Sequence, residues 1–147
     1  MVDPGAPQPL SAQRPRGVLA RLVHGAVGAL VGHRMTLPPA LLARYPELAE
    51  ARWRRGGLPV RVGGWCLGRS TVAGITLGRT IWLAPRAPFS PELLLHELRH
   101  VHQFASDRAF PLRYIWWSLR HGYSQNPYEA DARQFAARRV TGLPPTV

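Results

Sequence analysis

The sequence predicts an α+β fold: a small, mainly antiparallel sheet packed on one helix, with two further helices after it. Three observations carry this. Thr71 to Leu83 (TVAGITLGRTIWL) is rich in β-branched residues and is split by Gly78-Arg79, which reads as two strands around a turn. Ser90-Pro91-Glu92 and Asn126-Pro127 each set a capping residue before a proline, the usual opening of a helix. Helical segments lie both before and after the strands, an order that favours α+β over alternating α/β.

Taken in order, residues 1–17 hold four prolines and two glycines with little apolar content, and read as a flexible leader. A single domain is expected over 18–147. Val18 to Arg34 has the pattern of an amphipathic helix, and Leu37 to Arg55 that of two short helical turns broken at Tyr45-Pro46 and ended by Gly56-Gly57. Leu58 to Trp65 (LPVRVGGW) alternates like a strand with a glycine bend. After the two strands comes a loop, Pro85 to Phe89, and then a helix from Pro91 to about Ala105. A second helix runs from Phe110-Pro111 to about Arg120, stopped by Gly122. A third runs from Pro127 to about Val140.

Composition narrows the function. A chain of 147 residues has room for one domain. With 46% apolar and 18% charged residues it is neither a coiled coil nor a wholly disordered chain. One cysteine, Cys66, excludes an internal disulfide framework and a cysteine-rich zinc finger. The net charge of +11 invites a nucleic-acid reading. Yet all nineteen basic residues are Arg, as coding bias produces, and they are scattered, with only Arg52, Arg54 and Arg55 in a tight cluster. That argues against nucleic acid as the main partner. The most apolar stretch, 18–32, is interrupted by Arg21 and His24 and is too short to span a bilayer. No clear small-x-small cleavage site follows it, so a cytoplasmic location is expected. As an amphipathic helix it either packs on the domain or makes peripheral membrane contact.

Chemistry concentrates in His96-Glu97-Leu98-Arg99-His100. On a helix, positions i and i+4 share one face, so the two imidazoles converge on one metal ion. Glu97 lies beside them, placed to hold a water rather than to ligate. Leu94, Leu98, Val101 and Ala105 form an apolar stripe opposite, while Gln103 and Asp107 continue the histidine face. The bare pattern also occurs by chance on surface helices; here the helix is well started and correctly phased. His102 points away from the pair. A catalytic zinc site needs a third protein ligand, and the later carboxylates Asp107, Glu129 and Asp131 are candidates. Glu129, in the first turn of the last helix, reaches the metal if that helix packs across the first.

Leu95-His96-Glu97-Leu98-Arg99-His100-Val101-x-Gln103, followed by Asn126-Pro127-Tyr128-Glu129-Ala130-Asp131-Ala132, resembles the small gluzincin-type zinc metallopeptidases. It is similar to the minigluzincins and to bacterial domains with HELxHVxQ and (D/N)PxExEA motifs. The likeness covers about 58–140. It implies a minimal zincin-like fold, Zn²⁺ held by His96, His100 and Glu129, and Glu97 as general base for peptide hydrolysis. It also implies that the strand before the active helix offers its edge to an extended peptide, which points to Thr80, Ile81 and Trp82 as substrate-binding. An oxyanion donor is expected among Tyr114, Tyr123, Tyr128 and His121, with Tyr123 preferred for its glycine-bounded loop. One position departs from the pattern. The family often has an Asp four residues after the ligand Glu, orienting a zinc-bound histidine; here Arg133 stands there, and Asp131 faces another way. Asp107 or a backbone carbonyl is then expected to serve instead. The competing expectations are a non-catalytic zinc module that binds a partner, and a basic surface module for nucleic acid or anionic lipid.

Overall fold

A computed structural model describes residues 30–66 and 72–142, with side chains omitted at 64–66. The leader and residues 18–29 of the expected first helix lie outside the described residues. The elements are β1 (His33–Arg34), α1 (Pro39–Arg44), a 3-10 turn (Pro46–Glu50), β2 (Arg52–Arg55), α2 (Leu58–Cys66), β3 (Gly74–Leu77), β4 (Thr80–Leu83), α3 (Pro91–Ser106), α4 (Phe110–His121), a second 3-10 turn (Tyr123–Gln125) and α5 (Pro127–Thr141). The class is α+β, as expected.

The four strands lie in the order β1-β2-β4-β3. β1 pairs with β2, and β3 with β4, antiparallel; β2 and β4 are parallel, with Trp53 opposite Ile81. β3 and β4 form the expected hairpin, and Gly78 takes the left-handed φ of 58° that its tight turn requires. The sheet is therefore mixed.

Three local expectations are corrected. Arg52–Arg55 continues no helix but forms β2. Trp53 turns into the core, where its Nε1–H donates to the Leu48 carbonyl at 2.8 Å, while Arg54 and Arg55 donate to the backbone carbonyls of Val31, Gly32 and Pro85. Arg54 and Arg55 thus close loops. Leu58 to Trp65 is helical. A strand would set Leu58, Val60 and Val62 on one face, yet only Val60 is buried. Gly63 lets this helix approach the sheet, since a Cβ there would come within 2.6 Å of Ile75 Cδ1. His33–Arg34, expected in the first helix, is a strand.

α3 anchors the molecule. Ser90 Oγ accepts from Leu93 N at 3.2 Å, and Pro91 and Glu92 complete the first turn. Leu94, Leu95 and Leu98 are fully buried against Leu48, Ile81 and Leu83; each such side chain contributes about 1.5–3 kcal/mol. Val101 ends this stripe, for Ala105 is exposed. α5 packs along α3. Its cap Asn126 is fully buried: Oδ1 accepts from Tyr128 N, and Nδ2 donates to Tyr114 O and Ser118 Oγ of α4. One side chain thus starts α5 and ties it to α4.

Candidate metal centre

The helix starts at Ser90 and Asn126 fix the phases of α3 and α5, and their packing brings His96, His100 and Glu129 together. His96 Nε2 lies 3.2 Å from His100 Nε2 and 3.2 Å from Glu129 Oε2; His100 Nε2 lies 3.1 Å from Glu129 Oε1. Ligands around a tetrahedral ion bound at ~2.0–2.1 Å stand roughly 3.3 Å apart. The two imidazole nitrogens, and the carboxylate oxygen nearest to each, are spaced close to this value, and the cluster is able to hold a metal ion. The carboxylate is almost wholly buried. Its Oε2 has no hydrogen-bond partner of good geometry, despite its proximity to His96. An acceptor left so deep in the protein is what a cation would satisfy.

The protonation of His100 follows from its neighbours. Its Nδ1 lies 2.8 Å from Gln103 Oε1, while Gln103 Nε2 donates to Asp131 Oδ2 at 2.7 Å and to Tyr128 O at 3.1 Å. Asp131 accepts from Arg99 through both oxygens. The amide orientation is thus set by Asp131, and Oε1 can only accept. Nδ1 therefore carries a proton, and whenever His100 is neutral it is the Nε2 lone pair that faces the cluster. Phe110 stacks on the ring at 6.2 Å and Tyr114 meets it edge-on at 5.8 Å.

This corrects the expectation about orientation. Asp107 does not support a histidine; it accepts from Ala109 N and pairs with Arg113. Gln103 fills that role, steadied by Asp131, which sequence reasoning had set aside. Arg133 donates to Ser124 O and lies 3.9 Å from Glu129 Oε2. Glu129 does not close a capping box either, because Asn126 N donates to Tyr123 O.

Glu97 is buried beside the cluster. Thr76 Oγ1 donates to its Oε2 at 2.8 Å, and Gly74 leaves the space it occupies: a Cβ there would stand 2.6 Å from Glu97 Oε1. Neither Thr76 nor Gly74 was singled out from the sequence; only the fold brings β3 onto α3. Burial raises the Glu97 pKa, against the opposing pull of His100 and His96. In Glu129 burial pushes upward, but the close imidazoles of His100 and His96, with the Tyr114 hydroxyl, outweigh it and hold the carboxyl well below the usual range. For His100 burial pushes downward, but the hydrogen bond to Glu129, the charges of Glu97 and Glu129 and the hydrogen bond to Gln103 together outweigh it, so its pKa is raised above the usual histidine value of 6.5 in the metal-free protein.

Tyr114 Oη donates to Glu129 Oε1 at 2.6 Å. Tyr123 also hydrogen-bonds Glu129, and burial, with that carboxylate, raises the pKa of both phenols. Both line a cleft of about 350 Å³ that reaches Glu97, His100 and Glu129 and is otherwise mostly apolar. Tyr128 packs on Phe110, and His121 is exposed beside Trp117. His102 lies 3.1 Å from Glu50, away from the pair, as expected.

Thr80, Ile81 and Trp82 do not present a free edge. β4 is paired on both sides, by β2 and β3, and Trp82 donates its Nε1–H to Val31 O. Among the described residues the unpaired edge beside the site belongs to β3. The fold and site define an α+β domain with a buried His-His-Glu cluster able to hold a metal ion. No protein-family model matches the chain, and no curated protein or solved structure matches it. No helix among the described residues is long and apolar enough to cross a membrane.

Proposed function

We propose that the protein is a zinc-dependent peptidase in which His96, His100 and Glu129 hold the ion and Glu97 is the general base. The observation that carries this reading is the buried Glu97 carboxyl in the same cleft as His100 and Glu129, two members of a cluster in which each imidazole Nε2 stands 3.1–3.2 Å from the other and from a Glu129 oxygen. Two nitrogens and one carboxylate oxygen with a side open to a cleft suit zinc, which keeps one position for water or substrate in catalytic sites. When bound, zinc supplies Lewis acidity and lowers the pKa of a coordinated water toward neutrality.

The remaining work belongs to the chain. Glu97, its pKa raised by burial, takes the proton of an attacking water and returns it to the leaving amine. Thr76 donates to one Glu97 oxygen, which leaves the other to accept a proton. Tyr123 and Tyr114 stay protonated and serve as hydrogen-bond donors at the cleft, Tyr123 for developing charge and Tyr114 to steady Glu129. An extended peptide would add to the edge of β3 by backbone hydrogen bonds.

The test is hydrolysis of a broad peptide library by zinc-loaded wild type and Glu97→Gln. The variant is expected to keep its metal and lose about 10²- to 10⁴-fold in rate. A variant that loses metal as fully as His96→Ala would overturn the role given to Glu97. A wild type that cleaves nothing would leave a non-catalytic metal-binding module.

A further inference from the structure

α4 is built with two unlike sides. Phe110 and Tyr114 turn inward, and Asn126 holds Tyr114 and Ser118 against α5. Leu112, Ile115, Trp116 and Leu119 recur at i, i+3, i+4 and i+7, an apolar stripe on one face. That face is in water: Leu112 is 75% exposed, Trp116 55% and Leu119 80%. Trp117, next to Trp116, is half-buried and packs on His121.

Charge says what such a face fits. Arg113 and Arg120 are seven residues apart and so stand on the same border of the stripe. Arg113 is paired with Asp107; Arg120 has no ion pair among the described residues. From Arg108 to Tyr128 the chain has three Arg and no acidic residue, within a protein of net charge +11. A helix with a Trp–Leu stripe, bordering arginines and no acid has the make-up of one lying in an anionic lipid interface. Its apolar side chains enter the acyl boundary, while guanidiniums stay at the phosphates.

We propose that α4 docks the protein on anionic membranes through Leu112, Trp116 and Leu119, with Arg113 and Arg120 at the headgroups. Pro111, Tyr114 and Ile115 of the same helix line the cleft, so docking brings the cleft to the lipid surface. The proposal does not rest on the peptidase reading, since it needs no metal.

The test uses the full chain with vesicles of phosphatidylcholine alone, or mixed with phosphatidylglycerol, read by co-sedimentation and tryptophan emission. Leu112→Ser, Trp116→Ser and Leu119→Ser combined leave the net charge unchanged, so general electrostatic attraction is preserved. Wild type is expected to bind the anionic vesicles with a blue-shifted emission, and the triple variant to bind at least about tenfold more weakly. Binding should weaken with salt and be slight on phosphatidylcholine alone. Equal binding by the triple variant, or binding without a blue shift, would reduce the effect to bulk charge and overturn the proposal. So would binding lost in Leu22→Glu, a change within the apolar stretch 18–32, but intact in the triple variant. Self-association abolished by the triple variant, in a protein that ignores vesicles, would assign the face to a second copy.

Discussion

Gln103→Leu is the sharpest probe of how the cluster is organised. The side chain is buried, and its amide is the one partner of His100 Nδ1, at 2.8 Å. Leu keeps most of the volume and removes the acceptor. The donor then either stays unsatisfied, which costs roughly 1–3 kcal/mol, or the proton moves to Nε2. That second outcome leaves the metal-free fold nearly undisturbed, because Nε2–H can donate to Glu129 Oε1, 3.1 Å away. It blocks the lone pair a metal needs. Both routes penalise metal binding, and changes of this kind cost about 10- to 100-fold in affinity, or roughly 1.4–2.7 kcal/mol. Competition with a chelator of known affinity reads the loss, and far-UV circular dichroism checks the fold. Asp131→Asn should cost less, since Asn still accepts one bond and the site is half-exposed with Arg99 beside it. An unchanged affinity in Gln103→Leu would refute the orienting role.

Gly74→Ala should lower peptidase activity far more than metal content, because the new methyl would collide with the flexible end of Glu97 rather than with a ligand; equal activity in a peptide assay would contradict the close packing of β3 on the base. Protons and metal compete for His100 Nε2, and the His100 pKa lies above 6.5 without metal. Apparent metal affinity should therefore climb as pH rises through and beyond 6.5, and fall as pH drops. Calorimetry at neutral pH in buffers of different ionisation enthalpy should detect proton release, and a buffer-independent heat would count against it.

What was legible in the sequence was local. Ser90-Pro91-Glu92 and Asn126-Pro127 located two helix starts, and the i, i+4 spacing of His96 and His100 located their common face. Gly78-Arg79 marked the β3–β4 turn. Leu58 to Trp65 misled because its alternating valines and leucine also fit a helix that buries only Val60, and the reason for Gly63 is a contact with Ile75. Strand order is equally non-local. Nothing in Thr80–Trp82 reveals that β2 returns parallel beside it and leaves the open edge to β3. Gln103 was the available clue: it follows His100 by three positions, the spacing at which helix neighbours meet. Its anchor on Asp131 became visible only once α5 lay along α3.

The central claim is that His96, His100 and Glu129 are metal ligands rather than an internal hydrogen-bonded cluster. Its most direct test is the zinc content, by elemental analysis, of wild type and Glu129→Gln after metal addition and desalting. Gln preserves shape and can still accept from Tyr114, but it lacks the anionic charge that completes a two-histidine site. The account predicts one zinc per chain in wild type, and little or none in Glu129→Gln with its helical signal intact. Wild type that stays free of zinc after addition, or a variant that retains it fully, would contradict it.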